Sequence, residues 1–403
     1  MSQTPLKLTM IGPSGTGKSC YLYATYFRML EGVAGFNFNC VNINQARELE
    51  EAWNAILDDG VWPAGNAEGE EYRFACKHNG KPIGEFTWLD YRGGILNETE
   101  SEGSDLAKFL NRAADSDAIL VCLPTDVLLT AQANDLRAQR RWSRMKNEIL
   151  RILGAVYQRN ENASLVFMIT KSDLCKSQEE GRRCVETIRT AFQQYFIGTP
   201  EYAMIAATRL GRFEGESDDF QQGAEIKGVL DPHNVHLPIL LPFLTRARAA
   251  QAELTVAQTE YTLKAQEFDL ASTQKERGEK MNSRGLKIIL FTAAFFFLGL
   301  WLLNELGLFS ETTFFVSLIV FFGGMTYGSL YGCKGVDLIV TAPEEYKLSE
   351  MRRELKVKEC ELQDVKQTVA IPTDAIWREL EGRVELYHNG KRVLSADGKA
   401  RKA

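Results

Sequence analysis

The sequence predicts an α/β domain on a mostly parallel sheet, joined to helical arms that flank two apolar helices. Three observations carry this. Short apolar runs alternate with amphipathic ones as far as about Leu244, the pattern of a sheet covered by helices on both faces. The stretch GPSGTGKS, Gly12–Ser19, falls between a strand and a helix, where glycine-rich loops wrap phosphate groups. Two charge-free segments, Ile288–Asn304 and Thr312–Cys333, lie between two stripes of regularly spaced apolar residues.

Leu6–Ile11, Pro82–Asp90, Ala118–Pro124, Ser164–Thr170 and Tyr202–Ala207 read as strands. Several are apolar throughout, as strands buried on both faces must be. Asn79-Gly80 marks a tight hairpin turn before Pro82. Helical patterns fill Val127–Arg159 and Gln178–Phe196. Beyond Leu244, residues Ala247, Ala250, Leu254, Ala257, Tyr261, Lys264, Phe268 and Ala271 recur at alternating intervals of three and four. Leu348, Met351, Leu355, Lys358, Leu362, Val365 and Val369 repeat the pattern. Each stripe fits a coiled-coil seam with one lysine set into it, and equally an amphipathic helix lying on the globular domain. The seams pair with each other or with another copy.

The charge-free segments rise about 26 Å and about 33 Å as helices, against a hydrocarbon core of roughly 30 Å. They predict a transmembrane helix hairpin. Lys275, Arg277, Lys280, Arg284 and Lys287 precede it and Lys334 follows, while the connection carries Glu305 and Glu311. That asymmetry places both termini in the cytoplasm, with the hairpin in a bacterial inner membrane and lipid as a partner. A second Asn-Gly pair, Asn389-Gly390, signals a short hairpin near the end. The expected division is a nucleotide domain at 1–244, a helical coiled-coil arm at 245–286, the hairpin at 287–334, a returning arm at 340–370 and a tail at 371–403.

Composition excludes some functions. A net charge of −6 and a pI near 5.6 leave no excess of cations for a nucleic-acid backbone. The eight cysteines are scattered, without a CxxC pair or clustered histidines, which fits free thiols better than disulfides or zinc. The start, MSQTPLKLTMIG, has no basic stretch leading into a long apolar run, so no secretory signal is expected. Arg137, Arg140, Arg141, Arg144 and Lys146 share one helical run and read as a solvated face rather than a docking patch. His233 and His236 read as loop residues.

The chemistry sits in four short motifs. In the first, Gly12, Gly15 and Gly17 let backbone N–H groups close on phosphate, and Ser14, Thr16 and Cys20 complete the candidate contacts. Lys18 would bridge the β- and γ-phosphates and Ser19 would offer its hydroxyl to Mg²⁺. In MITKSDL, Thr170, Lys171 and Asp173 follow an apolar strand. There a carboxylate can accept from the N1–H and N2 amino group of guanine, a pair of donors that adenine lacks. The stem of Lys171 would lie along the base. DYRGG (Asp90–Gly94) and IAAT (Ile205–Thr208) close two further strands.

Taken in this order, the motifs resemble those of the Ras-like, translation-factor-related class of P-loop GTPases, over roughly residues 5–245. The resemblance implies a P-loop GTPase domain binding GTP or GDP with Mg²⁺. It implies that Asp90 holds the metal through water alongside Ser19, that the Gly93 N–H meets the γ-phosphate, and that the Ala207 backbone, beside Thr208, meets the guanine oxygen. Lys18, Asp90 and Gly93 are then the catalytic set. GTGKSCYLYATY, DDGVWPAG and NVHLPILLPFL are similar to stretches of the bacterial double-GTPase-like proteins of conflict and antiviral defence systems.

Two departures from that pattern matter. Between Thr25 and Thr87 the chain holds no Ser or Thr, although the family places a switch threonine there; Gly60–Phe74, with Asn66, occupies the region. Where the family positions water with a glutamine, this chain has Gly94. Arg92 could act in cis, a solvent-facing or structural role being the favoured alternative, and Asn97–Asp105 is a candidate switch segment. The expectation is a membrane-anchored, slow GTPase switch that needs an activator or dimerisation, as a homo- or hetero-oligomer. The alternatives are a dynamin-like membrane remodeller and a nucleotide-binding scaffold without turnover.

Overall fold

The computed structural model describes residues 4–63, 69–91, 94–95, 104–131, 135–198, 200–213, 225–226, 228–305, 341–368 and 371–395. Its organising strand is β1 (Leu6–Ile11). On either side of it run two parallel neighbours, β4 (Lys81–Asp90) and β5 (Ala118–Pro124). Beyond β5 the parallel run continues through β6 (Ser164–Thr170) and β7 (Tyr202–Ala207). Outside β4 the chain adds β3 (Glu70–His78) and β2 (Phe36–Cys40), both antiparallel. Outside β7 come β10 (Val384–His388) and β11 (Lys391–Leu394), antiparallel again. The described sheet is therefore mixed, in the order β11-β10-β7-β6-β5-β1-β4-β3-β2. Its parallel centre matches the expectation. So do the hairpins closed at Asn79-Gly80 and Asn389-Gly390, which join antiparallel strands as tight turns must; the further pairing of β2 with β3 and of β10 with β7 makes the sheet less parallel than expected.

Alternation along β5 separates two cores. Ala118, Leu120 and Cys122 pack on the side of α1 (Lys18–Glu31), α2 (Ile43–Asp59) and the first turns of α7 (Leu237–Glu305). Ile119, Val121 and Leu123 pack with α3 (Asp105–Ala114), α4 (Thr125–Thr130), α5 (Leu136–Tyr157) and α6 (Gln178–Ala191). Side-chain caps start α2, α3, α5 and α6, from Asn42, Ser104, Asp135 and Ser177 in turn, each satisfying a backbone N–H the helix cannot.

The segment read as a tail is part of this domain. The chain divides into one unit of Met1–Ala250 with Thr368–Ala403 and another of Gln251–Gln367. After α8 (Thr341–Thr368), helix α9 (Thr373–Leu380) buries Ile376 and Leu380 in the first core, and β10 adds Val384 and Leu386. The buried Glu385 carboxylate accepts from the Arg189 guanidinium on α6 at 3.1 and 3.0 Å and from the Tyr387 hydroxyl at 3.1 Å. His236, read as a loop residue, is buried and hydrogen-bonds Glu379 Oε2 at 3.2 Å. That bond, helped by the Arg383 charge, holds the Glu379 carboxyl below its ordinary value.

In the second unit, Lys264 Nζ reaches Glu354 at 3.1 Å and Lys358 Nζ reaches Glu260 at 2.8 Å. Moving forward along α7 corresponds to moving back along α8, so the two stripes pair antiparallel within one chain. Arg352 lies over the Phe268 ring, 5.7 Å from its centre. These pairs are exposed and each is worth little by itself.

The transmembrane hairpin expected at 287–334 is overturned. Among the described residues no helix is long and apolar enough to cross a membrane. Ile288–Asn304 is the last part of the 69-residue α7, continuous with the charged stretch that holds Lys275, Arg277, Lys280, Arg284 and Lys287. Thr312–Cys333 lies outside the described residues. The two-span placement in an inner membrane with cytoplasmic termini, and lipid as a partner through that hairpin, lose their support with it.

Candidate nucleotide-binding site

The C-terminal ends of β1, β4, β6 and β7 lie along one edge of the parallel centre, with β1 between β4 and β5. Crevices at such switch points in the strand order are where open α/β sheets bind ligands. Each sequence motif occupies one of those ends.

The first loop leaves β1 at Gly12 and enters α1 through Gly17, whose φ of 88° caps the helix in the left-handed region. At Gly12 a Cβ would stand 2.8 Å from Thr16 Oγ1 and 3.1 Å from Cys122 Cβ, so the backbone passes where no side chain fits. Ser14 and Gly15 are exposed at the rim. Lys18 is buried, and its ammonium donates to the carbonyls of Gly12 at 2.7 Å and Pro13 at 3.1 Å. Burial lowers its pKa, against the opposing influence of Cys122 and Asp90. The next residues, Ser19 and Cys20, open the helix, and burial pushes the Cys20 thiol up to about 12, which keeps it a neutral thiol.

Two long-range hydrogen bonds tie this loop to the other motifs. Ser19 Oγ donates to Asp90 Oδ2 at 3.0 Å, across 71 residues of sequence. Thr170 Oγ1 donates to the Thr16 carbonyl at 2.8 Å, across 154. Asp90 is buried at the end of β4, in register with Met10. A serine hydroxyl beside a carboxylate is a set of hard oxygen donors suited to Mg²⁺. The described residues contain no cluster of three or more His, Cys, Asp or Glu side chains, so a metal here would draw its other ligands from phosphate and water.

Past Thr170, Lys171 adopts φ 55° and starts a 3-10 turn, Ser172–Leu174. The following loop is stitched to it. Thr208 N donates to Ile169 O at 2.9 Å and Ser172 N to Thr208 O at 3.2 Å. Ala207 and Thr208 are thereby placed next to Asp173. Asp173 Oδ2 is buried with no hydrogen-bond partner, an arrangement that natural interiors seldom leave without a purpose. Burial pushes the Asp173 carboxyl up to about 6, while its own backbone N–H, Arg209 and Lys171 pull it down.

That shift has a testable consequence. Guanine donors require the ionised carboxylate, so affinity for a guanine nucleotide should be full above about pH 7 and fall as pH drops through 6. At pH 5 the loss from this group is about tenfold. A titration of affinity against pH should show this fall in the native protein and lose it in Asp173→Asn.

Gly93 and Arg92, Asn66, and residues 97–103 of the acidic segment lie outside the described residues. At the position of the missing threonine, Gly60 O accepts from Ile226 N at 2.6 Å and Val61 forms a bridge with Glu225. Residues 225–226 lie just before the second strand of a two-stranded sheet that sequence reading missed, β8 (Arg209–Phe213) with β9 (Gly228–His233). The only signal for it is the interval between Thr208 and the apolar run at Val235. Of the α5 cations, Arg141 pairs with the nearly buried Asp126 at 3.3 Å and Arg144 with Glu148 at 3.2 Å. No protein-family model matches the chain and no curated protein matches it significantly.

Proposed function

We propose that the chain is a GTP-binding protein with Mg²⁺ as its metal, a slow GTPase that works as a nucleotide-dependent switch. The observation that supports this best is the pair of hydrogen bonds joining the glycine-rich loop to Asp90 and to the MITKSDL turn. In this reading the groups for phosphate, metal and base act side by side. On binding, the Lys18 ammonium exchanges the Gly12 and Pro13 carbonyls for phosphate oxygens, and the start of α1 adds its dipole. Ser19 and Asp90 hold the metal side. Asp173 accepts from the guanine edge, and the Lys171 stem covers one face of the base.

Turnover is slow in this reading, since no Ser or Thr occurs between Thr25 and Thr87 and Gly94 stands in place of a water-positioning glutamine. A second copy or an activator protein then supplies the missing group and sets the timing. The second reading, a scaffold that binds without hydrolysis, is favoured by the bonding of Gly60 and Val61 to residues 225–226. A region tied in this way has less freedom to respond to a γ-phosphate.

The test is titration of the full chain with fluorescent GTP and ATP in Mg²⁺, followed by phosphate release at rising protein concentration. GTP should bind about 100-fold more tightly, the equivalent of two lost charge-assisted hydrogen bonds. Turnover should be on the order of 10⁻³ s⁻¹ or slower and rise with protein concentration. Tight binding with no turnover at any concentration would select the scaffold. Equal affinity for GTP and ATP would end both readings.

A further inference from the structure

The MITKSDL turn has a charged neighbour that no sequence motif announces. Arg209 is the first residue of β8, directly after Thr208, and β8 packs against the Ser172–Leu174 turn. Its Nε is buried with no hydrogen-bond partner, as is Asp173 Oδ2. The two groups interact through space, Arg209 being one of the charges that favour ionised Asp173. Neither is hydrogen-bonded to the other.

Across the β8–β9 pair, Arg209 faces His233, whose proton affinity is lowered by burial and by the Arg209 charge, with Asp231 opposing. His233 carries no negative charge with which to compensate the guanidinium. A half-buried donor cation and a half-buried acceptor anion stand side by side, each with an atom unsatisfied. That costs free energy unless a third group presents donors to one and acceptors to the other.

Guanine is such a group. Its N1–H and N2 amino donors face one way, and its O6 and N7 acceptors lie along the adjoining edge. Thr170 supplies nothing to that edge, since its hydroxyl is spent on the Thr16 carbonyl. The Ala207 backbone accounts for O6 at most, which leaves N7 without a donor. We propose that Arg209 is a base-reading residue whose guanidinium donates to N7 of the guanine that Asp173 holds. Arginine on the O6/N7 edge is a geometrically favoured pairing for guanine, worth enough to discriminate. The assignment rests on the guanine reading of Asp173 and adds the second edge of the base to it.

The probe is 7-deaza-GTP, in which a C–H replaces N7, compared with GTP on the full native chain in Mg²⁺. Native protein should bind 7-deaza-GTP about tenfold more weakly than GTP. Arg209→Met should bind the two equally, at the level native protein shows for 7-deaza-GTP. Arg209→Lys should recover part of the difference, because an ammonium donates but lacks the planar fork. Equal binding of GTP and 7-deaza-GTP by the native chain overturns the assignment, and so does discrimination that survives in Arg209→Met. The native comparison stands even if a variant fails to fold. A chain that prefers GTP to ATP yet ignores N7 sinks Arg209 alone. One that shows no preference for GTP over ATP sinks the guanine reading and this proposal together.

Discussion

Removing Thr368–Ala403 should unfold the α/β unit, although those residues lie more than 160 positions beyond the end of β7. The deletion strips Ile376, Leu380, Val384 and Leu386 from the first core. At about 1.5–3 kcal/mol for each buried aliphatic side chain, the loss is on the order of 6–12 kcal/mol, comparable with the whole stability of an ordinary domain. It also bares the edge of β7, whose backbone pairs with β10 from Tyr202 to Ala206, and leaves the Arg189 guanidinium without Glu385. A milder variant, Leu386→Ala, should cost about 2–5 kcal/mol and lower the melting temperature while leaving nucleotide affinity unchanged in the folded fraction. Circular dichroism melts of the deletion, the point variant and the full chain measure both effects. A deletion that melts like the full chain would mean that α9 and β10 are ornaments on an independent fold.

Lys18→Ala should abolish nucleotide binding without unfolding the chain. The ammonium is buried against two carbonyls of its own loop, a preorganised position from which it can meet a triphosphate at little reorganisation cost. Losing the charge-assisted bonds it would make there should raise the dissociation constant on the order of 100- to 1000-fold. The expected readout is thermal: a ligand at 100 times its dissociation constant stabilises by about 2.7 kcal/mol, and this GTP-dependent rise in melting temperature should vanish in Lys18→Ala. Lys18→Arg should not restore it, since a planar guanidinium does not replace a compact ammonium point charge. If the variant keeps the GTP-dependent shift, the loop does not hold phosphate.

The parallel centre of the fold was legible because buried strands must be apolar on both faces; Ala118–Pro124 and Ser164–Thr170 appear in the structure with the limits read from the sequence. So were the hairpins, whose Asn-Gly turns are local signals. What was not legible depends on contacts distant in sequence. The return of Val384–His388 to the edge of β7 has no local mark, because an edge strand looks alike wherever it pairs. Nor can His236 announce Glu379, 143 residues away. The apolar run at Ile288–Asn304 misled for a different reason. Composition and length alone suggested a span, whereas the run is the end of one long helix continuous with a charged stretch, and no helix among the described residues is long and apolar enough to cross a membrane. At the candidate site, the strand–loop–helix setting of Gly12–Ser19 was legible because its glycine spacing is a local signal. The placement of Arg209 beside the Ser172–Leu174 turn was not, since it comes only from the packing of β8.

The most direct measurement is the affinity of the full chain for GTP and XTP, before and after Asp173→Asn. Xanthine carries a carbonyl where guanine has its amino donor, so the ionised Asp173 should repel it and an asparagine amide should accept it. The account predicts that native protein prefers GTP by on the order of 100-fold and that the substitution reverses the order. An unchanged preference in Asp173→Asn would reduce MITKSDL to the start of a helical turn and remove the basis for guanine recognition.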